Sequence, residues 1–301
     1  MNLIKYRNYF FALSMLIIIP GIIAFYSWGL KVGIDFAGGT LWEIKSQDTQ
    51  KQLNAQEVKD FLSTIPTEVS QSSPASTNSV LIRIKETDEV KIKEFKQKLS
   101  EKFGTIEDVR LETVGPTISR ELTQKAYLAV GVSILAIVLF ITWSFRKIPK
   151  PASSLAFGFC TVFALVHDVI VVVGIFAILG HFLNIEIDSL FITALLTVIG
   201  FSVHDTIVVF DRIRENLIRH SEFSFEEVVN HSLLQTIGRS LNTSLTAVFV
   251  LFALFLFGGQ SIKTFVLALL VGIISGTYSS IFNAAPLLVV WQKLISKRKN
   301  G

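Results

Sequence analysis

Charge is scarce in this sequence. Asp, Glu, Lys and Arg make up 17% of its 301 residues, where a soluble globular chain carries about 25%. Cysteine is almost missing. Cys160 stands alone, which excludes an intrachain disulfide and any cysteine-based metal centre. There is no Gly-Lys-Ser/Thr loop of the nucleotide-binding kind, so energy cannot come from such a site. There is also no nucleophile elbow and no histidine cluster with metal-ligand spacing. Neither an enzyme activity nor a metal or cofactor is expected. The formal net charge of +4 and the pI of about 9.1 come from basic residues flanking apolar runs, and they are read as a topology signal rather than as a nucleic-acid surface.

What is present is long apolar runs. Half the residues are hydrophobic and the mean hydropathy is +0.54. A spanning helix needs about 20 mostly apolar residues. The uncharged stretches predict six spans, over residues 9–29, 126–145, 153–177, 188–210, 240–258 and 265–291. The first follows Lys5 and Arg7, is too long for a signal-peptide core, and ends without a small-residue cleavage site, so it reads as a retained anchor. Lys5, Arg7, Arg146, Lys147, Lys150, Arg212, Arg214, Arg219, Arg239, Lys293, Lys297, Arg298 and Lys299 all fall on one predicted side, and the short loops of the other side hold only Lys263. That asymmetry places both termini in the cytoplasm. The organisation expected is an N-terminus and first span (1–30), an external domain (31–125) and a five-helix membrane domain (126–301), with a cytoplasmic amphipathic segment over 211–238.

The external segment reads β-α-β-β-α-β. Leu41–Lys45 alternates as a half-buried strand does. Asn54–Ile65 is a helix with Val58, Phe61, Leu62 and Ile65 on one face, stopped by Pro66. Thr67–Gln71 and Val80–Lys85 pair as a hairpin across a loop over 72–78. Asp88–Phe103 is a second helix closed by Gly104, and Ile106–Val114 is the last strand. This order suits a small ferredoxin-like α+β module. The glycine-rich segment Gly33–Thr40 reads as a tight turn rather than a phosphate loop.

Two aspartates lie where lipid is expected. Asp168 is the only formally charged residue between Pro151 and Ile185, and Asp205 ends the uncharged run Ser189–His204. A carboxylate at the bilayer centre costs roughly 3 kcal/mol on the lenient insertion scale, and such residues mark proton or ion relays and charge pairs between helices. Each has a histidine before it, His167 and His204. Neighbours on a helix point about 100° apart, so neither pair is expected to act as one unit. Arg239, Asn242, Thr243 and Thr246 share one stripe at the opening of the fifth span. That stripe must face protein or water, and it is the expected partner of Asp205. Ser224 and Glu227 fit a capping box, with Phe223 and Val228 as its staple. Gly272 and Gly276 permit a close helix contact, and Pro20 and Pro286 are expected to bend their spans.

These residues carry a resemblance. Gly33–Thr40, Val114–Ser119, Ala164–Val169, Gly200–Asn216 and Arg239–Ser244 together resemble the SecF branch of the SecD/SecF family, over most of the chain. The resemblance implies six spans, one periplasmic domain after the first, and a fold like half of an RND-superfamily transporter. It further implies a bacterial inner-membrane protein that pairs with SecD, associates with the SecYEG channel, and uses the proton-motive force to help preproteins emerge on the periplasmic side. The positions matching Asp205 and Arg239 are implicated in proton conduction in that family, and Asp168 also lies in a family motif. A half-size exporter of lipids or small molecules and a non-transporting scaffold are the rival readings. The roughly 90-residue external domain leaves an exporter little room for a cleft of about 300–1,000 Å³.

Overall fold

The computed structural model describes residues 2–46, 53–63, 69–76, 79–85, 88–146, 148–149, 152–220 and 222–300. The expected stop at Pro66, the start of the strand expected over 67–71, and the boundary lysines Lys147 and Lys150 lie outside the described residues. A 3-10 turn (Ile4–Tyr6) leads into α1 (Arg7–Trp28). Then come α2 (Ile34–Ala37), β1 (Gly39–Ser46), α3 (Ala55–Ser63), β2 (Val69–Ser76), β3 (Ser79–Ile84), α4 (Glu89–Phe103) and β4 (Ile106–Val114). The chain finishes with α5 (Pro116–Ser144), α6 (Ser154–Leu183), α7 (Ser189–Arg219), α8 (Phe225–Phe257), α9 (Gln260–Ser279), a π turn (Ser280–Ala284) and α10 (Ala285–Asn300). Contacts divide it into two units, Val32–Tyr127 and Met1–Lys31 with Leu128–Gly301.

The smaller unit is an antiparallel four-stranded sheet in the order β2-β3-β1-β4. Period-2 alternation puts Trp42 and Ile44 of β1, and Val80, Ile82 and Ile84 of β3, on one buried face. Val58 and Leu62 of α3 and Phe95 and Leu99 of α4 complete that core. Asp88 caps α4 by accepting from the Val90 N–H at 3.0 Å, and Gly104 closes it at φ 87°. The hairpin differs from expectation. β2 runs through the segment expected as a loop, pairing Ser72 with Ile82, Pro74 with Val80 and Ser76 with Ser79. An edge strand tolerates a proline because its outward groups need no ladder partner. The Gly33–Thr40 segment is a steric device: Gly39 sits at φ 107°, and a Cβ there would come within 2.5 Å of the Ile84 carbonyl oxygen.

The larger unit contains helices long and apolar enough to cross a membrane. Six such spans occur among the described residues: Ile4–Trp28, Pro116–Ser144, Ser154–Leu183, Ser189–Arg219, Phe225–Phe257 and Ser261–Ile295. α6, α7 and α9 form its centre, while the apolar windows of α5 and α8 are mostly on the outside. Close approach at the centre comes from glycine. Gly174 of α6 meets Gly21 of α1 so tightly that an added Cβ would lie 2.5 Å from the Gly21 Cα. Gly272 and Gly276 of α9 lie against Val198 and Ser202 of α7, which is what the Gly-x-x-x-Gly spacing permits.

One expectation is corrected here. Residues 211–238 are not a separate surface helix. α7 continues to Arg219 and α8 starts at Phe225, behind a Ser224/Glu227 capping box. The 31 residues of α7 rise about 46 Å at 1.5 Å each, well past a hydrocarbon core of about 30 Å. The overhang is held as a helical hairpin, in which the buried Asn216 Nδ2 donates to Ser232 Oγ and to Gln235 Oε1, both at 2.9 Å. The last span is interrupted by the π turn just before Pro286. Proline has no N–H to bond back with, and a π turn absorbs the mismatch. It also turns Ser279, Ser280 and Asn283 all towards the interior, where they are buried.

Candidate functional site

Both membrane aspartates are buried, Asp168 at 1% and Asp205 at 2% exposure. Their surroundings differ sharply. Asp168 is saturated with donors. Its Oδ1 accepts from Ser275 Oγ at 2.8 Å and from His167 Nδ1 at 3.0 Å. Its Oδ2 accepts from Ser202 Oγ at 2.5 Å and from Ser279 Oγ at 2.7 Å. An ionised carboxylate offers about four lone-pair sites, and here each oxygen has two donors. The Gly276–Ser202 contact brings α9 close enough for Ser275 and Ser279 to reach across to α6.

Asp205 is short of donors. Among the described residues its hydrogen bonds fall on Oδ2 alone, from Ser244 Oγ at 3.3 Å and Thr277 Oγ1 at 3.4 Å. These distances are long for hydroxyl donors. Ser244 and Thr277 are also bonded to each other at 2.5 Å, and Thr277 reaches the Ile273 carbonyl at 2.9 Å. A hydroxyl has one proton to give, so these contacts compete. A cavity of about 270 Å³ between α8 and α9 is lined by Ser244 and Thr277 themselves.

The partner on α8 is therefore Ser244. Arg239, Asn242, Thr243 and Thr246 are exposed, and no hydrogen bond or ion pair joins any of them to Asp205 among the described residues. α8 turns a different stripe inward: Val229, Ser232, Leu233, Thr236, Ser240 and Ser244. Arg239 instead borders a polar groove with Asp211, Arg212, Glu215 and Gln235. The Thr246 hydroxyl donates to the Asn242 carbonyl at 2.7 Å.

The histidines separate. His204 is exposed beside a buried Asp205, as the 100° turn per residue requires. His167 departs from that rule: it is 4% exposed and its ring swings back onto the next residue's carboxylate. Ser202, Ser244, Ser275, Thr277 and Ser279 had no role in the sequence reading. The one signal available was in the last span, where Ser275 and Ser279 recur at i, i+4; Ser202 of α7 and Ser244 of α8 gave none.

Residues 94–294 match the family described as "Protein export membrane protein SecD/SecF, C-terminal". A "Protein translocase subunit SecF" from Thermobaculum terrenum is 47% identical over 304 residues, covering 97% of this chain and 94% of the relative. The chain belongs to the SecD/SecF family. A "Protein translocase subunit SecDF" from Bacillus subtilis is 35% identical over 95% of this chain, which corresponds to 37% of that longer protein. The crystal structure of SecDF from Thermus thermophilus, titled a translocon-associated membrane protein, superposes with a TM-score of 0.82 at 30% identity, over 97% of this chain and 39% of that one. Membership and the six apolar helices together make this a multi-pass membrane protein with the SecDF fold.

Proposed function

We propose that this chain is the gradient-driven SecF-type subunit of Sec protein export in a bacterial cytoplasmic membrane. It works beside SecD and the SecYEG channel, with both termini in the cytoplasm and the α+β domain on the far side touching the emerging chain. The export role is supported by relatives named translocase subunits along nearly the whole length. SecD as partner is supported by relatives in which the matching region is little more than a third of a single SecDF chain. The exposed polar stripe of Arg239, Asn242, Thr243 and Thr246 supports it too, since such a face within a span seeks protein rather than lipid.

The observation carrying the energy coupling is the contrast between the two carboxylates. Asp168, with four donors, is built as a fixed acceptor that holds α6, α7 and α9 together. Asp205, in the same bundle and equally buried, lacks the donors that make a buried charge tolerable. It is the group that exchanges its charge for a proton. A proton crossing the field carries about 2.3 kcal/mol per 100 mV, enough to bias a small rearrangement of the Ser244–Thr277 pair around the carboxylate. Arg239 acts at the partner-facing groove, where its charge tunes proton entry. The test is Asp205→Asn in membrane vesicles with SecD and SecYEG. The amide keeps the volume but cannot exchange a proton at accessible pH. Gradient-dependent completion of export should fall to the level seen with an uncoupler, while the ATP-driven early steps persist. Equal gradient-dependent export at matched expression removes Asp205 from the role.

A further inference from the structure

Beside the Asp205 cavity, and sharing Ile274 and Tyr278 of α9 with it, lies a second cavity of about 330 Å³ between α1, α6 and α9. Its walls are Leu13 and Ile17 of α1, Val171 and Ile175 of α6, and Val271 and Ile274 of α9. Leu13, Ile17 and Ile274 are 45%, 42% and 56% exposed, so the mouth opens sideways, where the surrounding medium is lipid. His167 forms part of the inner wall. Its Nδ1 is spent on Asp168, and its Nε2 is buried with no hydrogen-bond partner. The other polar groups of the wall are occupied: Ser275 donates to Asp168 and the Tyr278 hydroxyl donates to the Phe10 carbonyl at 2.8 Å.

The protonation pattern follows from chemistry. An ionised carboxylate only accepts, so Nδ1 carries the hydrogen. In the neutral ring Nε2 is then a bare lone pair. A buried acceptor left unmade is destabilising. The cavity thus combines an apolar, laterally open shaft with one unmet acceptor at its inner wall.

We propose that this cavity binds a single-chain amphiphile from the membrane, its apolar chain between α1, α6 and α9 and its terminal O–H donating to His167 Nε2. The chemical class is a long alkyl chain ending in an uncharged hydroxyl donor. A charged headgroup is disfavoured, because no charged side chain lines the cavity. The site shares Ile274 and Tyr278 with the Asp205 cavity but is not lined by Ser244 or Thr277, and the proposal does not rest on the export role. Bound there, the hydroxyl would lock the His167 ring and, through it, the Asp168 network that ties α6 to α7 and α9.

The test uses the full chain in lipid nanodiscs. The probe is a long-chain primary alcohol carrying a mid-chain diazirine, compared with its methyl ether, which has the same shape and no donor. Photolabelling should fall on α1, α6 and α9, with the alcohol competing roughly tenfold better than the ether, as one hydrogen bond of up to about 1.5 kcal/mol allows. Ile274→Trp fills the mouth from an exposed position and should abolish labelling there without unfolding the protein. His167→Phe should erase the preference for alcohol over ether. Equal competition by alcohol and ether, or unchanged labelling in Ile274→Trp, would show only ordinary lipid against the bundle and overturn the site.

Discussion

Ser202 donates to the Asp168 carboxylate at 2.5 Å and stands three residues before Asp205 on the same helix. One turn of α7 therefore holds a donor committed to the first carboxylate and, next to it, the second carboxylate. Movement at either is felt through the same backbone, because the Ser202 carbonyl also accepts from Ser280 at 3.2 Å.

Asp168 is expected to be the stability-determining carboxylate. In Asp168→Asn the amide NH₂ cannot accept, so two of the four donors lose their partner. The change should cost about 2–4 kcal/mol, as breaking a buried charged network does. Ser202→Ala, Ser275→Ala and Ser279→Ala should each cost about 1–2 kcal/mol and should combine non-additively. Thermal unfolding in detergent reads both. Asp205→Asn should shift the same transition by less than about 1 kcal/mol, since only two long bonds are at stake. A larger loss for Asp205→Asn than for Asp168→Asn would reverse the assignment of the two groups.

The exposed stripe of α8 predicts a separation between partner binding and folding. Arg239→Leu and Asn242→Leu should leave the melting of the isolated chain within about 0.5 kcal/mol, as changes away from buried features do. Recovery of SecD on affinity purification should drop. Ser244→Ala faces inward and should do the opposite, leaving SecD recovery intact while impairing gradient-dependent export. Unchanged SecD recovery in both stripe variants would show that α8 does not face the partner.

Helix crossing at glycine makes a steric prediction. Gly174→Val places a branched side chain where even a Cβ would sit 2.5 Å from the Gly21 Cα. Overpacking of this kind costs about 1–3 kcal/mol or more, so the variant should melt earlier and accumulate poorly. Gly131→Ala on α5 is the control. Nothing lies within 4 Å of its Cβ position, and it should be neutral or stabilising by up to about 1 kcal/mol.

At the turn between α7 and α8, the Ser224 Oγ accepts from the Glu227 N–H at 3.4 Å and Glu227 returns a bond to the Ser224 N–H at 2.8 Å. Ser224→Ala should cost about 1 kcal/mol, as loss of an N-cap does. Amide exchange at the start of α8 should rise while α6 stays protected.

Much of this protein was legible without coordinates, for a physical reason: span length, charge asymmetry, strand alternation and capping are local properties. A chain with so few charges, broken into apolar runs, declares its six spans. A carboxylate inside two of them draws attention, because burying it is costly. The β-α-β-β-α-β order of the smaller unit followed from periods of 2 and 3.6 alone. What the sequence could not decide was rotation. α8 carries polar side chains on two faces, Ser240 with Ser244 and Arg239 with Asn242, Thr243 and Thr246, and both repeats are helical. Only the packing of α9, drawn onto α7 at Gly272 and Gly276, settles that Ser244 and Thr277 reach Asp205 and that the charged stripe turns outward. The same packing encloses Asp168 with serines from two other helices. Which of two buried carboxylates is satisfied depends on interhelical distances of a few ångströms, and those are set by tertiary contact between segments far apart in the chain.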